Sequence, residues 1–155
     1  MVTYDKKALQ AMFERAWHGV SDQGRPAVDS NGNCIYWDFK TDCACAIGHM
    51  LSPADAAQLE RSFGGIGVAD LKDNSRKEWR QLVPAEFKRL IDNEVSFPER
   101  LSGFNALRDI QYAHDSCAGT WHQMQRNGSS KYDFVAEFQD SMRCVADDYG
   151  LTIPD

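Results

Sequence analysis

The fold is organised around the stretch Asp42-Cys43-Ala44-Cys45-Ala46-Ile47-Gly48-His49-Met50-Leu51. This stretch holds two of the five cysteines and one of the four histidines in a sequence of 155 residues. The side chain of Asp42 can cap a helix that begins at Cys43. The small residues around Cys45 leave little bulk, so other helices can approach closely. We therefore expect a short, buried helix here.

Helical periodicity continues on both sides of this segment. Apolar residues recur at three- and four-residue spacing, which is typical of helices with one buried face. Ser52 and Pro53 suit the N-cap and first position of a helix, and Gly150 suits the end of the last one. The predicted helical segments are residues 5–20, a short helix from 43, residues 53–61, broken pieces within 68–93, a segment from 98, and residues 131–149. The segment from 98 carries Phe104, Leu107, Ile110, His114 and Cys117 on one face.

Residues 26–39 have a different pattern. Short runs of strand-forming residues flank Asn31-Gly32, and Asn-Gly is a strong signal for a two-residue β-turn. We therefore expect a small hairpin packed on helices, since a lone hairpin is marginally stable. The predicted fold is α+β and mainly α-helical, a single compact domain over residues 1–155, with five to seven helices and one small β-hairpin.

Composition limits the classes of partner. With 17 basic and 23 acidic residues the formal net charge is -6, which disfavours a nucleic-acid partner. No apolar run approaches the roughly 18 residues needed to span a bilayer, so no membrane partner is expected. The odd number of cysteines and the polar start of the chain indicate free thiols in a reducing cytoplasm. Nothing in the sequence indicates a cofactor or an oligomeric state.

Cys45 is the candidate nucleophile of a thiol-dependent hydrolase or transferase, with His114 as its base. A helix N-terminus and a nearby imidazole would both stabilise a thiolate. Asp115 completes this catalytic set as the group that could orient the imidazole. Adjacent helical residues point about 100° apart, however, which makes Asp115 poorly placed for that role. The alternative is that Cys45 and His114 are core residues that only pack together.

Two metal sites are alternatives, although no metal is the expected outcome. A tetrahedral zinc site would use Cys34, Cys43, Cys45 and His49. The Cys43-x-Cys45 spacing argues against it, because the usual two-residue gap is missing. A metal-dependent phosphohydrolase of the His-Asp type would use His49, His114, Asp115 and Asp147 or Asp148. One His-Asp dipeptide is a weak signal in a chain so rich in aspartate.

Two further features suggest binding. The loop containing Gly64, Gly65 and Gly67 could bind a nucleotide-like ligand, but no Lys-Ser/Thr pair closes it as in a P-loop. Trp79, Trp121 and Tyr132 fall outside the clearest core stripes, and aromatic residues of this kind often anchor protein interfaces.

A resemblance links the two candidate segments. The pattern Cys45-Ala46-Ile47-Gly48-x-x-Leu51, preceded by Gly32-x-Cys34-x-Tyr36, is similar to one in small uncharacterised phage and prophage proteins. These proteins also carry a later Leu-x-x-x-Gln-x-x-His-Asp segment, which corresponds here to residues 107–115. From the sequence as a whole, we expect a protein that acts by binding a host or defence component. The resemblance implies an accessory protein of a virus or mobile element. It implies no reaction.

Overall fold

A computed structural model describes residues 6–33, 35–64, 103–129 and 131–154. The structure is mainly helical, and five helices lie in these ranges. They are α1 (Lys6–Gln23), α2 (Ala46–Met50), α3 (Pro53–Phe63), α4 (Gly103–Arg126) and α5 (Phe134–Tyr149). None of the helices in the described ranges is both long and apolar enough to cross a membrane. The helical pieces expected within residues 68–93, and Trp79, lie outside these ranges.

The helix ends follow local chemistry that is visible in the sequence. Ser52 is the N-cap of α3 and its side chain accepts a hydrogen bond from the Asp55 N–H, with Pro53 next in the chain. Asp133 caps α5 in the same way through the Ala136 N–H. Gly150 ends α5 with φ +66°, the left-handed conformation that glycine adopts without strain. The Ser52-Pro53 start and the Gly150 end are confirmed.

The core forms around α2, although this helix has only five residues. It contacts α1, α3 and α4, while α1, α4 and α5 also contact one another. The apolar stripes expected on α1, α4 and α5 face this core, and Phe13, Leu107 and Phe138 are fully buried in it. Removing these side chains from water is the main favourable contribution to folding.

The start of α2 differs from the sequence prediction. Asp42 does not cap the helix, because it has φ +54° and lies in a tight loop closed by its N–H to the carbonyl of Asp38. Aspartate tolerates this left-handed conformation better than most residues. Cys45 is the N-cap instead, with no side-chain capping hydrogen bond.

The predicted β-hairpin is wrong, and with it the α+β class. The described part of the chain contains no strand, and an isolated bridge joins Asp38 to Cys43. Gly32 does form a turn, at φ +83°. However, the Asp29 carboxylate accepts hydrogen bonds from the backbone N–H groups of Asn31 and Asn33, at 2.9 Å each. Side-chain bonds of this kind compete with a strand ladder.

The two arms of the turn exchange two backbone hydrogen bonds, from the Asp29 N–H to the Asn33 carbonyl at 2.9 Å and from the Ile35 N–H to the Ala27 carbonyl at 3.0 Å, but contacts with distant elements limit the pairing to these. The carbonyl of Ile35 accepts a hydrogen bond from the Cys45 N–H, at 3.1 Å. The next residue, Tyr36, donates its N–H to the Glu60 carboxylate of α3, at 2.8 Å. The Ile35 carbonyl and the Ala27 N–H, which would complete the pairing of the two arms, are therefore engaged by Cys45 and His114 instead.

Candidate functional site

Cys45 is completely buried, with 0% exposure. Its side chain is part of the hydrophobic core that also contains Tyr36 and Ile47. Its backbone N–H donates to Ile35, and its carbonyl accepts from the His49 N–H at 3.1 Å. The thiol therefore sits where a small apolar side chain would, as is common for free cysteine.

His114 is also fully buried, in the middle of α4. Its Nε2 accepts a hydrogen bond from the Ala27 N–H, at 3.4 Å. Since Nε2 is the acceptor, a neutral ring carries its proton on Nδ1, which lies 3.0 Å from Asp115 Oδ1 and donates to it. The ring edge also meets the ring of Phe134, with centroids 5.8 Å apart. Both ring nitrogens are thus engaged within the protein.

The expectation that Asp115 is badly placed to orient His114 is wrong. The 100° separation of adjacent helical residues applies to the Cα–Cβ directions. A histidine and an aspartate can still meet when both side chains lean along the helix surface. The carboxylate is 35% exposed, so it pairs with the buried ring from the edge of the solvent.

A chain of three hydrogen bonds connects Cys45 with His114. The Cys45 N–H donates to the carbonyl of Ile35, and the Ile35 N–H donates to the carbonyl of Ala27 at 3.0 Å. The Ala27 N–H then donates to His114 Nε2. The loop between α1 and α2 therefore joins the two segments through its backbone. Because Nε2 accepts from a backbone amide, it is not available to take a proton from a thiol in this conformation.

Gln23 is a second centre of polar contacts, and the sequence alone does not indicate it. Its Oε1 accepts from the Ala44 N–H at 2.8 Å and lies 2.9 Å from His49 Nε2. Its Nε2 donates to the carbonyls of Ala44, at 3.1 Å, and Arg25, at 2.6 Å. One amide at the end of α1 thus fixes the segment before α2. No periodicity or motif marks Gln23, because its partners lie up to 26 residues away.

The described members of the ligand sets considered for a metal do not form clusters. Within the described ranges, no three His, Cys, Asp or Glu side chains are grouped so that they could hold an ion. The Cys43 thiol donates to the Thr41 carbonyl at 3.6 Å, and the His49 ring is hydrogen-bonded to Gln23. Asp147 and Asp148 are exposed on α5. Cys34 lies outside the described residues.

The other binding candidates are placed as follows. Gly64 is the C-cap of α3 and is exposed, whereas Gly65 and Gly67 lie outside the described residues. Trp121 and Tyr132 are partly buried and pack against the core. Tyr112, which no sequence motif singles out, is 70% exposed. The sequence indicates its exposure only in that Tyr112 does not belong to the apolar face of the helix.

We expect stability to fall between pH 6.5 and pH 4 because of His49. Burial, assisted by the nearby His114 and opposed by Asp22, lowers the pKa of His49 from 6.5 to about 4. The unfolded chain therefore binds one more proton across this interval, so the stabilisation is complete above pH 6.5 and is lost as the pH approaches 4. The loss should reach at most about 3 kcal/mol, as measured by urea unfolding at several pH values.

His49→Gln is the matched variant for this experiment. Its side-chain amide can still donate to Gln23 Oε1, but it does not titrate. The pH dependence of its unfolding free energy should be shallower by about one proton between pH 4 and pH 6.5. An unchanged slope would assign the acid sensitivity to other groups.

No family model, no curated protein and no solved structure matches this chain.

Proposed function

We propose that this chain is an accessory protein of phage or prophage type. It acts in the host cytoplasm by binding a host or defence protein, and not by chemistry at Cys45. The similarity of the segments around Cys45 and His114 to those of small phage proteins motivates the biological class. In this proposal the two segments pack together to form part of the core and carry out no reaction.

The engagement of His114 is the observation that carries the proposal. Nε2 accepts from a backbone amide and Nδ1 donates to Asp115, so neither nitrogen can serve as a base in this conformation. Cys45 has no exposed surface through which a substrate could reach the sulfur. These contacts are the ones expected of a satisfied core histidine and a buried thiol.

A cysteine-dependent hydrolase or transferase is the second candidate. The hydrogen bond between His114 and Asp115 favours it, because a carboxylate that orients an imidazole is a recurring part of nucleophilic sites. This alternative requires the segment at Ala27 to leave His114 and requires the thiol to become accessible. It therefore predicts a reactive Cys45, whereas the binding proposal predicts an inert one.

Alkylation of the native protein with iodoacetamide separates these two candidates. We expect Cys144, which is exposed, to react readily near neutral pH. Cys45 should react at least about a hundredfold more slowly, because its labelling requires the core to open. Peptide mapping by mass spectrometry gives both rates. Fast labelling of Cys45 that is slowed by His114→Gln would contradict the binding proposal and support the enzyme.

Partner capture tests the binding role directly. A tagged chain incubated with bacterial host lysate should retain a stoichiometric protein, and Cys45→Ala should retain the same protein. Thermal unfolding of the variant provides the control for folding. Loss of capture by a folded Cys45→Ala variant would contradict the proposal.

A further inference from the structure

We propose that the groove between α4 and α5 binds an arginine or lysine side chain of the protein partner. This inference rests on the proposed function and names the surface and the chemistry that it uses. We call the surface the acidic groove, and define it by Asp109, Tyr112 and Ser116 of α4 and Ser141, Cys144 and Asp148 of α5.

The size of the acidic groove fits a side chain. Its volume is about 240 Å³, and Ala113 and Val145 also line it. Pockets for small-molecule ligands are usually about 300–1,000 Å³. A long aliphatic side chain that ends in a charged group would cover the apolar residues with its methylenes and reach the carboxylates with its head.

The charge of the acidic groove selects a cation. Asp109 and Asp148 contribute carboxylates, and no basic residue is found among the lining residues that the structure describes. Asp109 is held in place, because the Tyr149 hydroxyl donates to its Oδ2 at 2.7 Å. The overall charge of -6 would also attract a basic partner at a distance.

Tyr112 supplies an aromatic surface at the edge of the acidic groove. Two large hydrophobic residues are exposed in the described ranges, Tyr112 with 70% and Phe39 with 53%. The ring of Phe39 is already covered by the Arg61 guanidinium, 5.1 Å from its centroid. Tyr112 lies three residues after Asp109 and four before Ser116, so the three side chains share one helix face. A cation bound by the carboxylates could thus contact the tyrosine ring.

Arg108 is the competitor within the chain. Its Nε and Nη2 each lie 3.5 Å from Asp109 Oδ1, the oxygen that Tyr149 does not bond, and its side chain is 52% exposed. A contact of this length at the surface is weak. An incoming guanidinium can therefore displace it, and removing Arg108 should strengthen binding.

Fluorescein-labelled hexa-arginine is the probe, and its dissociation constant is measured by fluorescence anisotropy. At 0.15 M salt the screening length is about 8 Å, which suppresses binding to the general negative charge of the protein. Asp148→Asn and Tyr112→Ala should each weaken binding at least about threefold. Arg108→Gln should tighten it. Asp147→Asn is the matched control, because Asp147 is an exposed neighbour on α5 that does not line the acidic groove, and it should change binding by less than about 1.5-fold.

Two outcomes would overturn the inference. One is no binding of hexa-arginine, and the other is equal weakening by Asp147→Asn and Asp148→Asn in variants with unchanged thermal unfolding. Either result leaves the proposed function standing if Cys45 is inert, because the partner would then use another surface. Fast alkylation of Cys45 would instead overturn the proposed function and leave the peptide measurements unaffected.

Discussion

Gly48→Ala is expected to destabilise the protein strongly, although it adds only one methyl group. A Cβ at position 48 would overlap the backbone carbonyl oxygen of Tyr36 and lie 2.9 Å from the Ala44 Cβ. In an ordinary helix the same substitution is favourable by up to about 1 kcal/mol. Overpacking a core normally costs about 1–3 kcal/mol and sometimes more. Because the overlapped atom here belongs to the backbone, we place the cost above that range and expect a net loss of about 3 kcal/mol after the gain in helix propensity.

The neighbours of Gly48 cannot easily move away. Tyr36 is tied to Glu60 through its N–H, and the carbonyl of the preceding Ile35 is tied to Cys45. Urea unfolding followed by circular dichroism measures the effect. Gly119→Ala is the matched control, because Gly119 lies within α4 and a Cβ there would meet nothing within 4 Å. That variant should gain up to about 1 kcal/mol. Equal effects of the two substitutions would contradict the close approach of Tyr36 to α2.

Gly19→Ala is expected to be the second most destabilising substitution at neutral pH. A Cβ on this residue of α1 would overlap Cγ and Nδ1 of His49 and lie 2.7 Å from its Cβ. Cβ and Cγ lie on the axis about which the ring rotates, so rotation of the ring moves Nδ1 but cannot remove the overlap with Cγ. The substitution should cost about 2 kcal/mol, although it introduces a better helix former.

A double-mutant cycle assigns this cost to His49. His49→Ala removes the ring and two of the three overlaps, and leaves the contact with the Cβ. In that background Gly19→Ala should cost less than half as much, which gives a coupling energy of about 1 kcal/mol between the two positions. Additive losses would show that the overlap with the imidazole is not the source of the destabilisation.

The sequence predicts those parts of the fold whose signals are local. The N-cap of α3 needs only Ser52 and the amide three residues later, and the end of α5 needs only Gly150. The stripe of Phe138, Met142, Val145 and Tyr149 on α5 needs only the helical period. Each of these features depends on residues within one or a few turns of one another.

The predictions that are wrong concern features that depend on distant partners or on side-chain reach. The chain does turn at this point, but Ser30 and Asn31 are the central residues of the turn, which the Gly32 N–H closes on the Asp29 carbonyl, and not Asn31 and Gly32 as expected. The second arm also bonds to Glu60 and Cys45, which no local pattern indicates. Asp42 has the chemistry of a cap but lies in a left-handed loop. Backbone geometry alone argues against a contact between His114 and Asp115, because it ignores the reach of the side chains.

The chain of hydrogen bonds from Cys45 to His114 also has an evolutionary consequence. Ala27 is buried, so a variant that lacks the imidazole would leave its N–H unsatisfied, at a cost of about 1–3 kcal/mol. A loop reshaped by changes near Cys45 would in turn displace the amide from the histidine. Substitutions in the segment around Cys45 and in the segment around His114, about 70 residues later, should therefore depend on one another. Homologous sequences should keep both segments together or change both together.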